Sequence, residues 1–253
     1  MDIISIEDIP KKVTAILKNY APQDVLLLFD VDLTLTVPEE PAVQIPFIEK
    51  YQDQLKLITS GLSEEQIFLL VSLATKKARQ VLVEKKAPLV IKELQKKKIK
   101  IIALSSSITG SLGSIKRVEE WRYSVLKKLG ICFDKTFSQI TDLPITGIFS
   151  YRNQHPVYYR GVLCTNSPKK IKGKTLITFL KKINYSPKII IFVDDQKENL
   201  AEVSESIKQY STNIEFLGVE YKKGKQFTSG YVSEQAFFLY WENILSEIKQ
   251  KNL

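Results

Sequence analysis

Histidine is almost missing from this 253-residue sequence: His155 stands alone. A mechanism built on a histidine base would hang on that one side chain. Its neighbour Pro156 places it in a turn, where a surface imidazole is the plainer reading. Cysteine is scarce too. Cys132 and Cys164 lack CxxC spacing, which excludes a zinc site and a disulfide framework and fits a reducing compartment. Long apolar runs are also absent. The stretch 67–74 falls far short of the ~20 residues that a membrane-spanning helix needs. The opening segment MDIISIEDIPKK carries Asp2, Glu7 and Asp8 where a secretory signal would be basic, and no apolar core follows. The chain is therefore expected to be soluble, without signal peptide or transmembrane segment. There is no repeat or low-complexity tract, and no RNP pattern, zinc-finger spacing or aromatic-basic stripe, so nucleic acid is not an expected partner.

What is present describes a globular protein. Hydrophobic residues make up 44% and charged residues 26%, enough for one large domain with an insertion or for two small ones. The formal charge is +9, mostly from lysine. This excess reads either as a solvated surface or as an attraction to phosphorylated and other anionic partners, including weak association with anionic membranes. Composition does not choose between the two.

Three short apolar runs, Val25–Phe29, 100–104 and 188–193, are continuous rather than alternating, as parallel strands buried on both faces are. A fourth run covers 214–219. Helical patterns separate them. Ser63-Glu-Glu-Gln66 is a capping box that opens a helix through about residue 83. Further helices are predicted at 89–97, 114–129, 174–183, 198–210 and 233–249. The aromatic group Phe237, Phe238, Tyr240 and Trp241 on the last helix reads as core packing or an oligomer contact. Alternation of strand and helix predicts an α/β fold with a doubly wound, Rossmann-like parallel sheet, whose ligands bind beyond the carboxyl ends of the strands. Two segments interrupt it. Residues 38–88 read as a helical cap inserted after the first strand, which leaves 1–37 and 89–253 as the core. Residues 131–168 read as a β-hairpin excursion around Arg152-Asn153-Gln154 and His155-Pro156.

Acids at the end of a buried strand are costly unless a positive group meets them. Two strands here end in acids: one runs into Asp30-Val-Asp32-Leu-Thr34, the other into Asp194-Asp195. In parallel strands, both pairs reach the same edge of the sheet. A hard divalent cation such as Mg²⁺ relieves their repulsion and leaves room for phosphate oxygens. Turn or capping roles for Asp30 and Asp32 remain open on these residues alone. An EF-hand loop is excluded, with Leu35 at the required glycine and Pro41 at the required glutamate. Another strand runs into Ser105-Ser106-Ser107, a hydroxyl for a phosphate or an ordinary N-cap. Lysines at 169, 170, 172 and 174 precede a helix and the Asp194 strand.

In that order the motifs resemble the haloacid-dehalogenase superfamily of phosphohydrolases, over about residues 24–220. The resemblance implies an aspartyl-phosphate mechanism with Mg²⁺. Asp30 is then the nucleophile, Asp32 the general acid and base, and Thr34 a support for the loop. Ser105 would bind the phosphoryl oxygens, with Ser106 as the alternative. Lys172 would be the motif lysine, with Lys170 as its rival. The metal would touch the Asp30 carboxylate, the Asp32 carbonyl and Asp195, with Asp194 in support and Asn199 at a four-residue offset. The runs GVLCTN, KGKTLITFLKKI and IIIFVDDQKENL look like a bacterial branch with helical caps, partly from intracellular pathogens. That branch implies a phosphatase of small molecules or phosphoproteins, phosphotyrosine included, acting in the cytoplasm or in a host cell. A phospho-receiver domain places its acid pair and phosphoacceptor in the opposite order. The remaining rival is a non-catalytic relative that binds anionic lipid or phosphorylated partners through its lysines.

Overall fold

A computed structural model describes residues 2–3, 5–167, 170–226 and 230–250; Lys169 lies outside them. The strands, in chain order, are β1 (Asp2–Ile3), β2 (Val25–Phe29), β3 (Thr36–Pro38), β4 (Gln80–Leu82), β5 (Lys100–Ser105), β6 (Asp142–Pro144), β7 (Val157–Tyr159), β8 (Val162–Cys164), β9 (Ile189–Asp194) and β10 (Glu215–Tyr221). β3 and β4 form a two-stranded sheet, and the other eight form one sheet in the order β1-β10-β9-β2-β5-β8-β7-β6. From β1 to β8 the neighbours run parallel; β7 and β6 are antiparallel additions at the edge. The fold is mixed α/β around a large, mostly parallel sheet.

The continuous apolar runs are explained by cover on both faces. On one face Leu26, Leu28, Ile102, Leu104, Ile190 and Phe192 pack with Leu176, Phe179 and Leu180 of helix Lys172–Lys182 and with Val203 and Ile207 of helix Lys197–Tyr210. The alternate residues Val25, Leu27, Phe29, Ile101, Ala103, Ile191 and Val193 are equally buried and point to the opposite face. Each large side chain fully buried in this way contributes about 1.5–3 kcal/mol.

Three local expectations change. The helix capped by Ser63 stops at Lys77, because residues 80–82 pair as β4. The helix placed at 114–129 begins at Val118, since Leu112 and Ile115 bridge to each other first. The segment 131–168 does contain a hairpin, but its tight turn is Arg160-Gly161, both at positive φ, as a two-residue turn requires. β8 then pairs in parallel with β5, so the segment widens the central sheet rather than leaving it.

The chain divides into two compact units: Met1–Thr36, Leu82–Gly110 and Val118–Gln226 form the first, and Val37–Val81, Ser111–Arg117 and Phe227–Leu253 the second. The first holds the eight-stranded sheet. The second has its own core, in which Tyr51, Ile58, Leu70 and Ala74 meet Phe237, Trp241, Ile244 and Ile248 of helix Glu234–Gln250. Trp241 Nε1 donates to Ala42 O at 3.0 Å. Phe237 and Trp241 are thus core residues, whereas Phe238 is 37% exposed. The residues inserted after the first strand share their core with the last helix, which the strand–helix alternation places with 89–253. Among the described residues no helix is long and apolar enough to cross a membrane.

Candidate functional site

Parallel register brings the acids together. Phe29 pairs with Val193 on one side and Ala103 on the other, so Asp30 and Asp194, the next residues, leave the sheet side by side at its carboxyl edge. The Asp30 amide still donates to Val193 O at 2.9 Å. The chain then turns sharply, Val31 O accepting from both Leu35 N and Thr36 N at 2.9 Å. Leu33 takes a positive φ of 60° in this turn. Gly224 backs it so closely that a Cβ there would lie 1.5 Å from Leu33 O. Asp32 emerges with its side chain 38% exposed.

Lys172 joins the two strand ends. Its Nζ donates to Asp30 Oδ1 at 2.6 Å and to Asp194 Oδ2 at 2.7 Å, all three side chains being buried. Asp194 also accepts from Asn199 Nδ2 at 3.1 Å and from Gln196 N at 2.8 Å. Carboxylate oxygens of Asp30, Asp194 and Asp195 lie within 4.8 Å of one another. One ammonium against three carboxylates leaves negative charge in excess. Burial, opposed by Lys172 and reinforced by Asp194, holds the Asp30 carboxyl well above its usual range. Burial and the charge of Asp194 push Asp195 up to about 6. Asp195 Oδ2 is buried without a hydrogen-bond partner. An orphaned carboxylate oxygen within a negative cluster suits a hard divalent cation, which supplies the missing charge and takes oxygen ligands.

The position of Lys172 follows from a close helix crossing. Gly173 N donates to both carboxylate oxygens of Glu202, at 2.8 and 3.1 Å. A Cβ on Gly173 would meet Ser206 at 2.5 Å. Without a side chain at 173, the two helices approach and the first turn carries Lys172 to the sheet edge. Lys170, the rival lysine, is exposed and lines a groove with Lys174 and Lys181.

The three candidate hydroxyls differ in their exposure and partners. Ser105, the last residue of β5, is fully buried, and its Oγ accepts from Ser107 N at 3.1 Å. Ser106 is exposed. Thr34 is buried and its Oγ1 has no partner. Among the described residues, no hydrogen bond links these three to the carboxylates. His155 is half-buried rather than on the surface, with Nδ1 enclosed and unpartnered.

Arg122, on helix Val118–Lys128, belongs to no motif, yet its Nη1 donates to Asp32 Oδ1 at 2.7 Å. Its side chain is only 11% exposed. Burial works against its charge, but the Asp32 carboxylate outweighs that and the guanidinium stays protonated. Nε is buried without a partner. The signal was present in the spacing: Val118, Arg122 and Leu126, four apart, are all buried, so an arginine occupies an apolar stripe.

A family model described as "Protein of unknown function (DUF2608)" matches residues 2–250. An uncharacterized protein of Rickettsia bellii (strain RML369-C) is 29% identical over 210 residues, covering 81% of this chain and 70% of the relative. One from Rickettsia prowazekii (strain Madrid E) is 29% identical over 213 residues, covering 81% and 69%. One from Rickettsia typhi (strain ATCC VR-144 / Wilmington) is 28% identical, covering 81% and 70%. No solved structure matches the chain at a significant level.

Proposed function

Because the chain belongs to the DUF2608 family, whose function is unknown, its chemistry must be argued from the site, and we propose a Mg²⁺-dependent phosphatase of haloacid-dehalogenase type. The observation that carries this reading is the group of Asp30, Asp194 and Asp195 around Lys172 at the carboxyl edge of a parallel sheet. In this reading the substrate is a phosphorylated small molecule or a phosphoprotein.

Asp30 attacks the phosphorus, its carboxylate oxygen forming the new P–O bond while the bond to the leaving oxygen breaks. Asp32 gives that oxygen its proton and then, as a carboxylate, takes one from the water that hydrolyses the aspartyl-phosphate. Lys172 holds the Asp30 carboxylate in place and offsets part of the local charge. Ser105, with Ser106 next to it, and Thr34 are the hydroxyls available to phosphoryl oxygens. Asp30, Asp195 and the Asp32 carbonyl would hold Mg²⁺ with Asp194 in support, and the ion would supply positive charge to the transferring group. The unpartnered Asp195 Oδ2 fits that role.

The test is hydrolysis of 4-nitrophenyl phosphate. Turnover should require Mg²⁺, stop with a chelator and fall to background in Asp30→Asn. Full activity in that variant would contradict the mechanism. One observation favours a second reading, a non-catalytic protein that binds anionic lipid: Lys92, Lys96, Lys98, Lys100 and Lys135 line one groove of about 450 Å³. Strong sedimentation with anionic vesicles, and no turnover of any phosphate, would support it instead.

A further inference from the structure

Arg122 and Asp32 form an ion pair separate from the Lys172 cluster. Arg122 donates to Asp32 Oδ1, while Lys172 takes Asp30 and Asp194. Asp32 is held by little else: its side chain is more than a third exposed, and Oδ2 makes no hydrogen bond among the described residues. A carboxylate on a turn samples several rotamers unless something fixes it. A charged arginine on the apolar stripe of a helix is costly to bury unless it is paired. Both facts are resolved by a single contact, which fixes the direction of the Asp32 side chain through one of its oxygens.

The geometry points to Arg122 as the positioning residue for Asp32: it aims the carboxyl that protonates the leaving group, so its contribution depends on how much that group needs a proton. This rests on the phosphatase reading above. In the step concerned, the P–O bond to the leaving group breaks and its electron pair stays on the leaving oxygen. In its acid form Asp32 gives that oxygen a proton as Asp30 bonds to phosphorus. A phenolate that is already stable, such as 4-nitrophenolate, gains little from the transfer, whereas an unsubstituted phenolate gains much.

Two rival roles are open to such an arginine. Its unpartnered Nε is a donor that a substrate phosphate would accept, which makes it a phosphate clamp. Alternatively, the pair is purely structural, tying the helix to the turn. Each moves a different observable.

The experiment measures kcat/KM, which reports only steps through phosphoryl transfer to Asp30, for a series from 4-nitrophenyl to phenyl phosphate. The enzymes are the wild type, Arg122→Met, Arg122→Lys, Asp32→Asn and the double variant Asp32→Asn/Arg122→Met. Arg122→Met should lose about 100-fold on phenyl phosphate and under about tenfold on 4-nitrophenyl phosphate, steepening the leaving-group dependence towards that of Asp32→Asn. Arg122→Lys should fall between, and it serves if the methionine variant does not fold. In the Asp32→Asn background, Arg122→Met should change the slope little, because both act through one group. Equal losses across the series would overturn the inference in favour of a structural pair. Equal losses together with weaker inhibition by inorganic phosphate would overturn it in favour of a clamp. Failure of the phosphatase reading looks different: the wild type itself would hydrolyse no member of the series with Mg²⁺ present, and the inference would fall with it.

Discussion

Lys172 and Asp30, 142 residues apart in the chain, meet in a buried ion pair at 2.6 Å. The same ammonium reaches Asp194 at 2.7 Å, so one cation joins two strand ends and the first turn of a helix. Removing it would leave uncompensated charge in a dry place. Lys172→Met should cost about 3–5 kcal/mol, read as a lower urea midpoint, and Mg²⁺ should restore more stability to this variant than it adds to the wild type. Unfolding curves unchanged by the substitution would show that the pair bears no weight.

A cation that binds only the folded chain stabilises it by mass action. Mg²⁺ at about 100 times its dissociation constant should add about 2.7 kcal/mol, seen as a rise in melting temperature. Asp195→Asn removes the charge of the carboxylate whose Oδ2 is unpartnered and should abolish most of that rise. A melting temperature indifferent to Mg²⁺ in the wild type would rule out an ion at this edge.

Gly173 is the narrowest point of the site's support, because a Cβ there would lie 2.5 Å from Ser206. Gly173→Ala should destabilise by about 1–3 kcal/mol through overpacking. Ser206→Gly in the same chain should recover part of the loss. Lys174→Ala, one residue on and exposed, should stay within about 0.5 kcal/mol of the wild type. If both alanines behaved alike, the crossing would not be tight.

The second unit rests on its aromatic core. Trp241 is 2% exposed and hydrogen-bonded to Ala42 O, so Trp241→Ala should cost about 3–5 kcal/mol. Hydrogen exchange should localise the damage: amides in helices Gln52–Thr59, Glu64–Lys77 and Glu234–Gln250 would lose protection while β2 and β9 keep theirs. Uniform loss throughout the chain would mean that the two units unfold as one.

The strands that carry the acids were legible because burial on both faces leaves an unmistakable mark: nothing polar interrupts Val25–Phe29 or Ile189–Val193. Lys172 was legible by its place before a helix, although only the crossing at Gly173 separates it physically from Lys170. Arg122 is hard to read from sequence because Glu119-Glu120-Trp121-Arg122 has the pattern of a solvated face, although it shares the stripe of Val118 and Leu126. The end of the helix at Lys77 and the pairing of β8 with β5 depend on partners distant in sequence, and local propensity carries no information about those. The same holds for helix Glu234–Gln250, whose apolar face names no partner until Tyr51 and Ile58 are seen against it.

The construction of the second unit also has a consequence for how the protein is made. Its first helices end at Lys77, yet the side chains that complete their core, Phe237 and Trp241, are translated some 160 residues later. At about 5–20 residues per second a ribosome needs roughly 10–30 s to cover that distance. Throughout that interval, in which β5 to β10 of the central sheet are synthesised, the apolar faces of the early helices lack the aromatic side chains that complete their core. Residues 45–77 are thus the helical stretch of the nascent chain whose apolar faces wait longest for their partners.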